Sequence, residues 1–95
     1  MKPNQKEQNI QIKMPDEIMG GVYANNMVVG HSREEFIMDF IYAAPPQGKV
    51  NARVIVSPGH MKRIIHALQE NLYKFENEYG PLPDTPEIKE NVLIQ

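Results

Sequence analysis

The chain has 95 residues, a formal net charge of −2 and no cysteine. Its length predicts one domain with a thin core, in the size range where a partner surface often completes the fold. The slightly acidic charge gives no overall attraction to nucleic acid or to an anionic membrane. The lack of cysteine excludes disulfides, a thiolate nucleophile and cysteine-based zinc sites.

The opening residues bear on the compartment in which the protein acts. The stretch "MKPNQKEQ" lacks the apolar region of a secretory signal, and no apolar run in the chain approaches about eighteen residues. We therefore expect a cytoplasmic protein of bacterial type, without a membrane partner.

Four segments have the patterns of β-strands. In "NIQIKM", apolar residues alternate from Ile10 to Met14, and Pro15 ends the segment. The stretches "VYANNMVVGH" and "EFIMDFIY" are joined by the polar "HSRE", a connection of hairpin size. A turn at "APPQG" then leads into "KVNARVIVS". This order predicts an α+β fold, with an antiparallel meander sheet of about four strands followed by one long C-terminal amphipathic helix.

The helix has clear start and stop signals. Ser57 can accept from the free amides of the first turn, and Pro58 suits the first helical position. Gly80 and Pro81 end the pattern, so residues 58–79 predict a helix of about 33 Å. Apolar residues repeat at spacings of four and three, a stripe that we expect to cover one face of the sheet. The stripe comprises Met61, Ile65, Leu68, Leu72, Phe75 and Tyr79, and Ile64 widens it.

The domain boundaries follow from these elements. Residues 9–80 form the single α+β domain, and residues 1–8 are a flexible N-terminus. Residues 81–95 contain several prolines before an apolar "VLI" end. This tail is either a flexible arm, the interpretation we favour, or a docking peptide.

The histidines do not form a recognisable site. His60 and His66 are six positions apart, which places them roughly 120° apart around a helix, so they cannot share one metal ion. His31 lies beside Ser32 and Glu35, but a tight turn offers no oxyanion donors for a catalytic triad, and a turn-stabilising role is favoured. We expect no catalytic residue, no metal site and no cofactor.

Pairing across the "PPQG" turn predicts a second apolar sheet face. Aligning Tyr42 with Val50 places Phe36, Met38 and Phe40 on one face, where the helix would lie. The opposite face then contains an Asp39–Arg53 ion pair among isoleucines. Either a second subunit covers this face, or the ion pair is an ordinary exposed one. The candidate interface residues are Ile37, Asp39, Ile41, Arg53 and Ile55, with Ile41 expected opposite Asn51.

Two segments, "GVYANNMVVGHSREEFIMDF" and "ARVIVSPGHMKRIIHALQENLYKFE", resemble a family of small bacterial proteins known only as a domain of unknown function. The family pattern is Gly-x-Tyr-Ala/Ser-Asn, then His-Ser-x-x-Glu-Phe-x-x-Asp-Phe, then Arg-x-Ile/Val-x-Ser/Thr-Pro-x-His. The likeness covers about residues 10–80, and it departs at "YAAPPQGK", where relatives often carry a Met-Pro-Gly turn. The resemblance implies no established activity. Its strand meander and helix are similar in outline to SecB-like export chaperones, which form oligomers with apolar grooves, an analogy of fold alone.

Three functions are compatible with these residues. The favoured one is a non-enzymatic protein-interaction module that acts as a small homo-oligomer, most simply a dimer, with a protein partner still unidentified. A chaperone-like role is its more specific form. The alternative is a transcription- or nucleic-acid-associated accessory protein with a local basic patch at the helix N-terminus. An enzyme is disfavoured, because Glu34 and Glu35 point apart or flank a turn and no Gly-rich phosphate loop is present. The patch comprises Arg53, His60, Lys62 and Arg63.

Overall fold

The structure is a computed structural model that describes residues 8–84. Its elements in chain order are a short helix α1 (Asp16–Met19), strands β1 (Asn26–His31), β2 (Phe36–Tyr42) and β3 (Lys49–Val56), and helix α2 (Pro58–Tyr79). The predicted α+β meander followed by a long helix is confirmed, with three strands rather than about four. The flexible ends predicted for residues 1–8 and 81–95 fall mostly outside the described residues.

The strand predicted from Ile10 to Met14 does not form. Residues 8–15 have no regular secondary structure, and Ile10 and Ile12 are exposed. Alternating apolar residues favour a strand only where a neighbouring strand supplies hydrogen bonds, and among the described residues β1 and β3 pair only with β2. This prediction was wrong because the pattern contained no information about a pairing partner.

The β1–β2 hairpin is closed by its own polar residues. The Ser32 amide donates to the Glu35 carbonyl at 2.9 Å, and the Ser32 hydroxyl accepts from the Glu34 amide at 3.2 Å. The His31 ring lies against the Phe36 ring, with centroids 5.3 Å apart. Ser32 and His31 therefore have structural roles in the turn, in agreement with the turn-stabilising interpretation.

The β2–β3 pair follows the predicted register for most of its length. Residues pair as expected from Phe36–Val56 to Phe40–Ala52, after which the register shifts by one residue. Beyond the shift Ile41 pairs with Val50, and Tyr42 pairs with Lys49. The expected Tyr42–Val50 and Ile41–Asn51 pairs were therefore wrong, because a bulge inserts Asn51 into β3 without a partner on β2.

Gly48 explains how the turn before β3 closes. A Cβ atom on this residue would lie 2.7 Å from the Tyr42 carbonyl oxygen and 3.2 Å from the Ala43 Cα atom. No other residue type fits so close to the backbone. The bulge and this close approach together set the register at the turn end of the sheet.

Helix α2 has the predicted bounds. The Ser57 hydroxyl accepts from the His60 amide at 3.2 Å, which caps the first turn. At the other end the Gly80 amide donates to the Glu76 carbonyl at 2.8 Å, and Gly80 has a φ of 96°, a conformation that favours glycine. On the exposed side of the helix, Lys74 and Glu70 form an i,i+4 ion pair at 3.5 Å.

The helix does not cover the sheet as expected. Met61 is buried and Ile64 is half-buried at its first turns, but Leu68 is 64% exposed and Tyr79 is 70% exposed. Only Ser57 separates β3 from α2, so no loop is available to fold the helix back across the strands. The helix therefore extends away from the sheet, with its apolar stripe exposed.

Within residues 8–84, neither helix combines the length and the apolarity needed to cross a membrane.

Candidate interaction surfaces

The Asp39–Arg53 ion pair forms as predicted. The Arg53 Nε atom donates to one Asp39 oxygen at 2.7 Å and its terminal nitrogen donates to the other at 2.9 Å, so the contact is bidentate. The pair links the central strand β2 to the edge strand β3. Asp39 is only 5% exposed, whereas the Arg53 side chain is 56% exposed.

This contact changes the acidity of both groups. Hydrogen bonding from Arg53 lowers the pKa of Asp39, a shift that burial opposes and the charge of Arg53 reinforces. The same hydrogen bonds and the negative charge of Asp39 raise the pKa of Arg53. Asp39 is therefore held as a carboxylate at neutral pH, and its negative charge is matched by Arg53.

The predicted interface around this pair is buried at its centre and exposed at its rim. Asp39 and the 4%-exposed Ile41 lie on the central strand, where β1 and β3 flank them, and Ile37 is half-buried. Ile55 on β3 is 54% exposed and Val28 on β1 is 38% exposed. We call this surface the Asp39 face; its residues are Val28, Ile37, Asp39, Ile41, Val50, Arg53 and Ile55. A partner would gain contact area mainly at its rim, on Val28, Val50 and Ile55.

The other side of the sheet, here the Met38 face, is also exposed around a buried centre. Met38 is buried at its centre, but its cross-strand neighbours Val29 and Val54 are 49% and 41% exposed. These two residues lie directly opposite Met38 on either side, so they form one continuous apolar row. The apolar residues of this face are Met27, Val29, Phe36, Met38, Phe40, Tyr42, Ala52, Val54 and Val56.

The predicted basic patch is only partly available. Arg53 is committed to Asp39 by two hydrogen bonds. His60, Lys62 and Arg63 are exposed in the first turns of α2. Three helix residues remain as the patch, and nucleic-acid binding stays a prediction.

The described residues contain no group of three or more His, Asp and Glu side chains arranged to hold a metal ion.

One feature was missed by sequence reasoning, a side-chain clasp at Asn25. Its Nδ2 atom donates to the Ala43 carbonyl at 2.9 Å, and its Oδ1 atom accepts from the Ala43 amide at 2.8 Å. The Asn25 amide also donates to the Ile41 carbonyl at 3.0 Å, so this asparagine extends the β1–β2 ladder by one residue before the start of β1. A second asparagine acts nearby, because the bulged Asn51 donates to the Tyr23 carbonyl at 2.6 Å. The only sequence signal for this contact was that Asn25 is the last residue of the Gly-x-Tyr-Ala/Ser-Asn pattern.

Comparison with known proteins identifies the family. Residues 1–84 match the family described as "Protein of unknown function (DUF3467)". The chain belongs to this family. No curated protein and no solved structure is significantly similar to the chain.

The residues of the DUF3467-like pattern have roles in the architecture. Asn25 clasps Ala43, Ser32 closes the hairpin, and Ser57 caps α2. Asp39 and Arg53 join two strands, and Gly21 adopts a φ of 75° before β1. These contacts explain the pattern as the frame of a sheet and helix.

Proposed function

We propose that this DUF3467 protein is a non-enzymatic protein-interaction module that acts as a homo-oligomer and binds extended apolar segments of other polypeptides. One observation carries the proposal. Among the described residues only three apolar side chains are buried, whereas twenty-one large apolar side chains are exposed. A folded domain needs a larger core than this, so part of the exposed surface is expected to be covered by other chains.

Most of the exposed apolar side chains of the sheet and α2 lie in three regions, which favours more than one kind of contact. The α2 stripe and the rim of the Asp39 face can serve assembly. The Met38 face adds an open row of aliphatic and methionine side chains, which adapt to varied partners. Its edge strands β1 and β3 also carry backbone groups that no strand within residues 8–84 pairs, and an extended peptide can bind such an edge.

A chaperone-like role is the more specific form of this proposal. The meander followed by one long helix is similar in outline to SecB-like export chaperones, which is an analogy of fold alone. The motif residues carry no catalytic arrangement that argues for an enzyme. The client we expect is therefore an unfolded chain with exposed apolar residues, recognised without sequence specificity.

The test is suppression of aggregation. The protein is added to insulin undergoing reduction, and light scattering follows aggregation of the insulin chains. We expect suppression at near-equimolar protein. The variant Val29→Lys places a charge on the Met38 face and should lose most of this effect, whereas Gln47→Lys adds the same charge in the β2–β3 turn and should retain it. No suppression by the native protein at tenfold excess, or equal suppression by both variants, would contradict the proposal.

The oligomeric part is measured separately. Light scattering on a size-exclusion column at micromolar concentration should give a mass of at least twice the 10.9 kDa of one chain. A mass of one chain would reject homo-oligomerisation.

The nucleic-acid alternative rests on exposed Lys62 and Arg63 at the start of α2. It is weaker because Arg53 is already paired and the net charge is −2. A gel-shift assay at low salt tests it, and binding that Lys62→Glu with Arg63→Glu abolishes would favour this alternative over the chaperone-like role.

A further inference from the structure

We propose that the α2 stripe is occupied by α2 of a second copy, in an antiparallel pair whose two-fold axis passes near Glu70. This inference rests on the proposed homo-oligomer and specifies its contact. The sheet leaves most of the stripe uncovered, since α2 is buried only at Met61. The axis position follows from the spacing, the charges and the exposed area of the helix.

The spacing of the stripe residues determines which side chains meet across the pair of helices. Counting from Met61, stripe residues fall alternately four and three positions apart, as in the seam of a two-helix coiled coil. An antiparallel pair centred near residue 70 places Leu68 against Leu72 of the second copy. It places Ile65 against Phe75 of the second copy in the same way, on either side of the axis. Each outer layer therefore combines a smaller side chain with an aromatic one, which fills the space between the helices evenly.

The distribution of charge along α2 favours an antiparallel over a parallel pair. The first turns of α2 carry Lys62 and Arg63, whereas its last turns carry Glu76 and Glu78. In the antiparallel pair Lys62 lies beside Glu76 of the second copy, once at each end, and Gln69 meets its own equivalent near the axis. One Glu76 oxygen accepts from the Leu82 amide at 2.9 Å, and the other can accept from Lys62. A parallel pair would instead place the basic ends together and the acidic ends together, which is unfavourable.

The exposed area fits a second copy of this helix. Ile65, Leu68, Leu72, Phe75 and Tyr79 are between 42% and 70% exposed, which corresponds to roughly 500 Å² of apolar surface on one helix. Two copies bury about 1,000 Å², the lower limit for a specific interface. The pair is therefore expected to dissociate at low concentration unless sheet residues add to it.

Disulfide trapping tests the direction, because the native chain has no cysteine. Ile65→Cys and Phe75→Cys chains are oxidised separately and as a mixture, and the products are identified by mass spectrometry. In the antiparallel pair two Ile65 positions lie about 15 Å apart along the axis, too far for a disulfide, while Ile65 and Phe75 face each other. We expect only the mixed 65–75 product. A 65–65 or 75–75 product at similar yield indicates a parallel pair and overturns the inference.

A charge exchange gives a second test with surface variants that preserve the stripe. Lys62→Glu should raise the dimer dissociation constant about tenfold, because it affects both ends of the pair, and adding Glu76→Lys should restore most of the affinity. Arg63→Glu, on the outer side of the helix, should change it less than threefold. If the chain is dimeric by mass but shows neither the mixed disulfide nor the charge compensation, the dimer interface lies elsewhere. That result overturns this inference and leaves the proposed homo-oligomer intact. A monomer overturns both.

Discussion

Replacing Asn25 with alanine should destabilise the sheet although Asn25 is exposed. The substitution removes two hydrogen bonds to the backbone of Ala43, at 2.9 and 2.8 Å, and leaves the Asn25 backbone bond to Ile41 in place. The Ala43 amide and carbonyl then lose their partner at the end of the β1–β2 ladder. A small sheet has few other contacts at this end, so we expect the loss to lower the stability of the whole domain.

The magnitude follows from the two bonds. An intramolecular hydrogen bond contributes about 0.5–1.5 kcal/mol net, and water can reach this site, so the lower part of that range applies to each bond. We expect a loss of about 1–2 kcal/mol in the free energy of unfolding, or a fall in Tm of about 4–16 °C for a domain of this size. Asn25→Asp should lose about as much, because a carboxylate keeps the bond from the Ala43 amide but faces the Ala43 carbonyl without a donor.

The assay is urea and thermal unfolding followed by circular dichroism at one fixed chain concentration, because assembly makes Tm depend on concentration. The matched control is Asn77→Ala, at an exposed helix position, which should change stability by no more than about 0.5 kcal/mol. If Asn25→Ala and Asn77→Ala unfold alike, the clasp does not stabilise the fold and the reasoning from its geometry is wrong.

Three further predictions concern other single contacts. Gly48→Ala should destabilise the protein by about 1–3 kcal/mol, since its Cβ would lie 2.7 Å from a backbone oxygen. In the control Gly59→Ala the Cβ meets no atom within 4 Å, so this variant should be neutral or stabilising. Equal Tm values for the two variants would contradict the close approach at Gly48. Ser57→Ala should cost about 1 kcal/mol through loss of the α2 cap, and Ser57→Asp should restore it, so a failure of rescue would argue against capping. Asp39 has a lowered pKa in the folded state, so the stability it contributes is present above its unfolded pKa of about 3.9 and is lost as the pH falls through the folded value. The Tm gap between wild type and Asp39→Asn should therefore narrow from pH 5 to about pH 2, and a constant gap would count against the ion pair.

Local signals in the sequence determined the three strands of the sheet and helix α2, although they missed α1 and predicted a strand at Ile10 that does not form. Ser57, Pro58 and Gly80 predict the bounds of α2, and the structure has a helix from Pro58 to Tyr79. The pairing of Asp39 with Arg53 was also predictable, because alternation on two strands joined by a short turn fixes which side chains face each other. Such features depend on a few neighbouring residues, so periodicity and capping chemistry suffice to find them.

Features that depend on distant segments required the tertiary structure. The pattern at Ile10 and Ile12 could not show that no strand pairs with it, and the register at Ile41 depended on a bulge at Asn51. The clasp joins Asn25 to Ala43, eighteen positions apart, through contacts that no local pattern encodes. The sequence determined that α2 carries an apolar stripe, because the 3.6-residue period fixes which residues share a side. Only the structure decided that the stripe lies away from the sheet, because the single residue between β3 and α2 sets the direction in which the helix leaves.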